Sequence, residues 1–438
     1  MINNFFYRNK LKNINYGITF FNIGILFLFS APAIGLLFLF TAIIISFLFK
    51  GANPKKDNLN IFFYVTITLM LFSCLFTNFT NTSLNLDKSF FQTTNPFYSL
   101  FNWIPLFFCY WGFKPYLKTH LQRRFCSISI ICSTIPLLVS GLGQYFFKWY
   151  GPFELFNGLI IWYQRGHPSG ALTSVFNNPN YAGCIFATVL PFFIISISKR
   201  NSKLENIFSS VLSLSVILSI IFTQSRNAFL SLIMGLFLIV PNKIRWIFAA
   251  SVPFFMLIST VFLKISKLMY LYQFRPELII NDPRLFIWSK SLKYISEKPF
   301  LGWGGHGFSS IWNNSIRYIP LNLENVQYYG HAHNLPLEIA IKYGIFTSIV
   351  LFGVIFYIIF KSFKIIFEKN FKKDKYSNDV LILEKAWLIS SIVIVFSNFL
   401  DILYYDVRLS CLLWIFIAGL RNISSENHKS KEVPKIIS

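Results

Sequence analysis

The chain has 438 residues, of which 54% are hydrophobic and only 13% are charged, and phenylalanine alone contributes 53. A soluble domain would carry about a quarter charged residues, so this composition excludes an ordinary soluble protein. Apolar runs long enough to cross a bilayer recur along the chain. Because these runs are continuously apolar, with no period of two, they exclude a β-barrel as well. The chain is therefore predicted to be an all-α polytopic membrane protein.

The apolar runs predict about twelve transmembrane helices. In chain order they lie near 17–29, 33–49, 60–77, 97–113, 125–147, 181–198, 204–222, 226–241, 246–263, 335–360, 385–402 and 406–420. No small-residue cleavage site follows the first run, which indicates an uncleaved helix rather than a signal peptide. The whole chain, 1–438, is interpreted as a single integral membrane domain.

Lysine and arginine are concentrated in alternate loops. If the amino terminus is cytoplasmic, every short inner segment is basic and the short outer loops are almost free of Lys and Arg. By the positive-inside rule, this distribution predicts that both termini lie in the cytoplasm. The formal charge of +23 is thus mostly topological. It needs no nucleic-acid partner, although it would favour anionic lipid headgroups.

Two segments on the predicted outer side, 148–180 and 264–334, are too long to be simple turns. The second contains a helical pattern from Pro283 to Ile295 and a glycine-rich turn at 302–305. It also contains basic residues: Lys264, Lys267, Arg275, Arg284, Lys290, Lys293, Lys298 and Arg317. Long loops escape the positive-inside rule. These charges therefore indicate either an anionic ligand on the outer face or a solvated helix face. We expect 264–334 to be a large, partly helical periplasmic loop.

Two arginines on the outer side are candidates for binding phosphate. Arg226 lies at the start of a helix, in a polar turn where backbone donors and a fixed guanidinium group could meet an anion. Arg284 lies in the first turn of a helix that Pro283 opens. Each has a structural alternative. Arg226 could extend to the lipid headgroups, and Arg284 could pair with Asp282 or Glu277.

The segment from Gly330 to Glu338 carries two histidines, His331 and His333, at the membrane surface. Residues two apart could ligate zinc from a strand. However, no cysteine or further histidine lies close in sequence, so no metal is predicted. Asn334 and Pro336 predict a helix start. A neutral imidazole at that position is a usable general base; the alternative is an interfacial histidine with a structural hydrogen bond.

The six cysteines form no CxxC pair and are predicted to pack in the core, and no P-loop sequence for nucleotide triphosphates is present. Two guanidinium groups and a base therefore stand on the outer face of a membrane protein. Guanidinium groups bind phosphate bidentately. This set favours group transfer from a lipid pyrophosphate to a hydroxyl acceptor.

Several short motifs in order resemble those of the O-antigen ligase and O-antigen polymerase superfamily, over roughly 165–360. They are Gly170 with Phe176-Asn177-Asn178-Pro179-Asn180-Tyr181-Ala182, Thr223-Gln224-Ser225-Arg226-Asn227-Ala228, Arg284 with Trp288, Pro299-Phe300-Leu301-Gly302-Trp303-Gly304, and His331 to Glu338 with Gly344. The resemblance implies a GT-C-like fold and a metal-independent, inverting glycosyltransferase without a cofactor. Its donor would be a glycan on undecaprenyl pyrophosphate, used at the periplasmic face of the bacterial inner membrane.

Matched residue by residue, the resemblance gives catalytic roles to Arg226, Arg284 and His333. Both arginines would bind the donor pyrophosphate, and His333 would activate the acceptor hydroxyl. Residues expected on the substrate side are Asn180, Asn334, His331, Glu338, Gly302 and Gly304. Two positions depart from the usual pattern, because Pro336 stands where a bulkier residue is common and Asn227 where glycine is.

The acceptor stays open at this point. A ligase that uses a lipid A-core sugar, in lipopolysaccharide biosynthesis, is slightly favoured by the single loop at 264–334. A repeat-unit polymerase would be expected to have long outer loops in both halves. A protein O-oligosaccharyltransferase is disfavoured because the basic tail from Arg421 is predicted to be inside. A small-anion transporter is the alternative from another class, and it would require charges in mid-span or repeated halves with broken helices.

Overall fold

The computed structural model describes residues 16–49, 51–83, 96–167, 169–197, 203–239, 282–305, 307–309, 311–312, 330–371 and 378–425. We number its helices α1 (Tyr16–Leu28), α2 (Pro32–Leu48), α3 (Asn60–Ser83), α4 (Ile104–Phe113), α5 (His120–Phe147), α6 (Pro179–Ile197), α7 (Lys203–Phe222), α8 (Arg226–Ile239), α9 (Pro283–Glu297), α10 (Leu335–Tyr343), α11 (Ile345–Phe371), α12 (Asn378–Leu400) and α13 (Val407–Ser425). A two-stranded antiparallel hairpin, β1 (Phe153–Leu155) and β2 (Ile160–Trp162), follows α5.

The prediction of an all-α integral membrane protein is confirmed. Within the described ranges, six helices are long and apolar enough to span a bilayer, namely α3, α5, α7, α11, α12 and α13. The helices α1, α2 and α6 are apolar but shorter. The predicted span at 246–263 lies outside the described residues.

Two predicted spans are interrupted. The run at 97–113 divides into a 3-10 helix, Pro96–Asn102, and the short helix α4. The run at 335–360 was predicted as one helix, and this prediction is wrong because the chain turns at Gly344. That residue has φ +89°, and a side chain there would overlap the Phe300 carbonyl oxygen. The span therefore begins at Ile345, and α10 is a separate helix.

The last two helices form the centre of the bundle. In α12 and α13, 72% and 83% of the apolar stretch is buried inside the protein. In α7 the buried share of the apolar stretch is only 28%. The helix α12 packs against α6 and α8, and α13 packs against α4 and α11. The Trp414 ring meets Phe107 edge-on at 5.3 Å between centroids. The short link between α12 and α13 is therefore held rigidly at one end of the bundle, which we call the site end.

Asp57 ties helices together at the opposite end. Arg421, about 20 Å along α13 from its start, donates to both carboxylate oxygens of Asp57 at 2.7 and 2.8 Å. Lys114 pairs with the same carboxylate. Burial raises the pKa of Asp57, but the hydrogen bonds from Arg421 and Lys114 outweigh burial and hold that pKa well below its ordinary value of 3.8.

We expect Asp57→Asn to lower the free energy of unfolding by about 3 kcal/mol at neutral pH, because two partly buried cations lose their counter-charge. A depressed pKa stabilises the fold above the unfolded value of 3.8, so the wild-type advantage should shrink as the pH falls below it. Thermal unfolding in detergent measures both effects. The variant Glu154→Gln, at an exposed carboxylate, is the matched control, and equal melting of the two variants would contradict the assignment.

Candidate active site

Asp401 is the point at which the predicted site residues meet. It lies in the link between α12 and α13 and is only 6% exposed. His333 Nδ1 lies 2.9 Å from Oδ1, and Asn180 Nδ2 donates to Oδ2 at 2.7 Å. The Arg284 guanidinium lies 3.8 Å from Oδ2. One carboxylate therefore joins three segments that are far apart in sequence.

The charge on Asp401 fixes the orientation of the imidazole. Burial raises the pKa of Asp401, but the hydrogen bond from His333 and the positive charges near it, including Arg284, lower it to about 2. The group is therefore a carboxylate at neutral pH and can only accept hydrogen bonds. Nδ1 of His333 must then carry the proton, which leaves Nε2 of the neutral ring as a proton acceptor.

The backbone around His333 forms a tight turn. His333 has φ +49°, in the left-handed region that residues other than glycine seldom occupy. Its N–H lies 3.3 Å from Nδ1 of His331, and the two imidazole rings are 4.2 Å apart. Asn334 caps α10 by accepting from Leu337 N at 3.0 Å, which confirms the predicted helix start. The turn thus aims both rings at the Asp401 link.

Glu338 supports this turn from below. It is fully buried, and its Oε2 accepts from Ala332 N at 2.9 Å. Its Oε1 accepts from Lys342 at 2.7 Å and from the Tyr405 hydroxyl at 3.2 Å. These contacts are all within the protein, so the structure gives Glu338 a supporting position; its expected contact with substrate stays a prediction. Burial lowers the pKa of His331.

Asp282 brings the two arginines to the same end of the bundle. Its Oδ2 lies 2.8 Å from Nη2 of Arg226, and its Oδ1 accepts from Arg284 N at 2.9 Å. Arg226 is the first residue of α8, and Arg284 is in the first turn of α9, both as predicted. Their side chains are 28% and 21% exposed, so both guanidinium groups can meet a ligand.

Ser225 connects the start of α8 to the Asp401 cluster. Its hydroxyl donates to Asn180 Oδ1 at 2.6 Å and accepts from Ala228 N at 3.2 Å, so it caps α8 as well. The next residue but one, Asn227, is buried and donates to Ser397 O at 3.0 Å. This contact gives a reason for asparagine at a position where glycine is more usual.

The two predicted glycines lie against the C-terminal end of α10. Trp303 N donates to Ile341 O at 2.7 Å, and Gly304 N donates to Lys342 O at 2.9 Å. Both glycines have positive φ, as a tight turn requires. Gly302 and Gly304 therefore clamp the end of α10, and their expected contact with substrate stays a prediction.

The structure adds a third potential metal ligand to the two histidines. No such ligand lies near His331 and His333 in sequence, but Asp401 lies beside them in space. The three donor atoms lie within 4.8 Å of one another. These residue types suit zinc. The fit is poor in charge, however, because both Asp401 oxygens already accept hydrogen bonds and Arg284 lies 3.8 Å away. A cation here would have to displace or repel those groups.

Three residues that assemble the site, namely Asp401, Asp282 and Ser225, were given no role in it from the sequence. The signal that could have found Asp401 is a lone carboxylate directly after a long apolar helix, where charges are costly and usually functional. Asp282, directly before a helix-opening proline, is a recognisable cap.

Comparison with known proteins indicates the class to which the chain is similar. The family model for O-antigen ligases matches residues 181–368, which include Arg226, Arg284 and His333 but not Asp401. A ComP-specific O-oligosaccharyltransferase of Acinetobacter baylyi is 24% identical over 193 residues, which are 42% of this chain and 34% of that protein. The chain thus matches about a third of its relative's length. Over residues 181–368, less than half of its length, this integral membrane protein is similar to the O-antigen ligase family.

Proposed function

We propose that this protein transfers a glycan from undecaprenyl pyrophosphate to a hydroxyl acceptor. The observation that carries the proposal is that one ionised carboxylate, Asp401, orients a histidine base and lies beside a partly exposed arginine. This set lies at the end of a bundle of apolar helices, where a lipid-linked donor would present its pyrophosphate. The O-antigen ligase match over 181–368 supports the same class of substrate.

In the proposed reaction, Arg226 and Arg284 bind the donor pyrophosphate and stabilise the charge that develops on it. Nε2 of His333 takes the proton of the acceptor hydroxyl. The hydroxyl oxygen then bonds to the anomeric carbon while the bond from that carbon to the phosphate oxygen breaks. Undecaprenyl pyrophosphate leaves with both electrons of that bond. A single displacement inverts the anomeric configuration.

Besides a second donor molecule, as in a polymerase, two acceptors have specific support. A lipid A-core sugar is the acceptor that the ligase resemblance implies, with the site on the periplasmic face of the inner membrane. A protein hydroxyl is the second, and the similarity to a ComP-specific O-oligosaccharyltransferase favours it. Both acceptors offer a hydroxyl to the same base, so the residues of the site do not separate them.

Reconstitution tests the proposal directly. The purified full chain, in liposomes with a synthetic undecaprenyl-pyrophosphate oligosaccharide, would receive lipid A-core, a serine-containing acceptor protein, or further donor alone. We expect release of undecaprenyl pyrophosphate matched by glycan on one acceptor, and the arm that gains glycan identifies the ligase, protein-transfer or polymerase activity. Donor that stays intact in every arm would contradict the proposal.

We expect that removal of divalent cations leaves the transfer rate unchanged. In the proposed reaction the guanidinium groups of Arg226 and Arg284 neutralise the negative charge of the leaving pyrophosphate, so no metal ion is needed for that role. Initial rates before and after EDTA treatment measure this, with added zinc as a second arm. Loss of activity on chelation, restored by zinc, would instead assign a metal to His331, His333 and Asp401.

A further inference from the structure

The hairpin formed by β1 and β2 projects from the bundle with an apolar tip. Leu155, Phe156 and Leu159 are 59%, 76% and 48% exposed. Its root is firmly held, because Trp162 Nε1 donates to Ser30 O at 2.7 Å and the buried Gln164 donates to Trp149 O at 2.7 Å. The exposed tip therefore belongs to an element with a fixed position.

The hairpin lies at the site end of the bundle. The chain that follows it is tied to the turn between α7 and α8, because Gln224 Nε2 donates to Ser169 O at 3.2 Å and Leu172 N donates to Phe222 O at 2.9 Å. That turn leads directly into Arg226. The hairpin and the candidate active site thus share one end of the molecule.

One face of the hairpin is entirely apolar. Phe153 pairs with Trp162 and Leu155 pairs with Ile160, and these four side chains share a face because strand residues alternate. Between residues 149 and 163, the sequence has one charged residue, Glu154, which points to the opposite face. An isolated two-stranded hairpin is marginal in water. Trp162 packs this hairpin against the bundle, which leaves Phe153 and Leu155 on the same face exposed.

The apolar face continues onto a membrane-spanning helix. The exposed side chains of α5 include Val139, Phe146 and Phe147, at 56%, 59% and 70%. Phe147 stacks on Trp149 with ring centroids 5.6 Å apart, which leads this surface from the helix into the hairpin. Exposed tryptophan and tyrosine flank the hairpin at Trp149, Tyr150 and Tyr163. Such residues are enriched at membrane–water interfaces.

We propose that the apolar face and tip of the hairpin lie in the interfacial layer of the bilayer at the site end, so that the partner of this surface is phospholipid. Continuity with α5 carries the argument, because lipid that covers Phe146 and Phe147 reaches the hairpin without a break. Glu154, on the other face, remains in water. The hairpin then borders the lipid side of the turn that carries Arg226. This inference does not depend on the proposed reaction.

Depth-dependent fluorescence quenching tests the proposal. A bimane label on Phe156→Cys would be prepared in a Cys132→Ala parent, because the other five cysteines are buried. The protein would be placed in phosphatidylethanolamine–phosphatidylglycerol nanodiscs. We expect quenching by headgroup spin-labelled lipid and a loss of quenching by aqueous iodide. The matched control is His167→Cys, an exposed polar position at the same end, which iodide should quench fully.

Two outcomes would overturn the proposal. Equal iodide quenching at Phe156 and His167, with no effect of spin-labelled lipid, would put the tip in water. A label at Phe156 that neither quencher reaches would indicate a protein contact, such as a second copy of the chain. The same labels on Leu159→Cys keep the test valid if Phe156→Cys folds poorly, and Val139→Cys on α5 serves as the lipid-exposed reference.

Discussion

His333→Ala should lower the rate of glycan transfer by about 10²–10⁴-fold, because a positioned general base contributes that much to a proton-transfer step. Because Nδ1 of His333 contacts the Asp401 carboxylate, Nε2 is the proton acceptor in the proposed reaction, and alanine removes it without removing either arginine. The measurement is the initial rate of undecaprenyl pyrophosphate release from the reconstituted protein with saturating donor. The effect should fall on kcat, since the pyrophosphate contacts remain.

The neighbouring histidine provides the matched control. His331 Nδ1 lies 3.3 Å from the backbone N–H of His333, and asparagine can keep an acceptor there. We expect His331→Asn to cost less than about tenfold, in the range of one lost supporting hydrogen bond. If His331→Asn is inactive and His333→Ala is active, the roles of the two rings are reversed from those proposed.

Asp401→Asn should lower kcat by about 10²-fold or more, because the side-chain amide can offer an N–H to Nδ1 and so favour the wrong imidazole tautomer. The substitution also removes the carboxylate that stabilises the imidazolium formed during the reaction. The acid limb of the kcat–pH profile should therefore move to lower pH. A purely structural loss would lower the amount of folded protein but would leave that limb in place.

The control for Asp401 is Asp282→Asn. Asp282 pairs with Arg226 and caps α9. We expect this variant to change KM for the donor while the shape of the kcat–pH profile stays that of the wild type. If Asp282→Asn moves the acid limb and Asp401→Asn does not, Asp401 is not the group that orients His333.

The helix starts of the site could be predicted from sequence because their signals are local. Pro283 in the first turn and Asn334 as a cap fixed where α9 and α10 begin, and so placed Arg284 and His333 correctly. Asp401 could not be predicted in this way. Its partners Asn180 and His333 lie 221 and 68 residues away in sequence, and no local pattern encodes that contact.

The break in the predicted span at 335–360 likewise depends on a contact that is distant in sequence. Its composition is that of one long apolar helix, but the end of α10 packs on the chain at 299–304, and only glycine fits at 344 against the Phe300 carbonyl. The hairpin was missed for a different reason. Its aromatic residues lie between two spans, in a short segment whose spacing of apolar residues does not distinguish a helix from a strand.

Equilibrium binding of undecaprenyl pyrophosphate to purified variants tests the central division of roles most directly, because it separates donor binding from chemistry. We expect Arg226→Gln and Arg284→Gln each to weaken binding of undecaprenyl pyrophosphate about tenfold or more, because each variant loses a charge-assisted contact with phosphate. His333→Ala should bind as the wild type does. Unchanged binding by both arginine variants, together with loss of binding by His333→Ala, would contradict the proposed roles of the arginines in donor binding and of His333 in the chemical step.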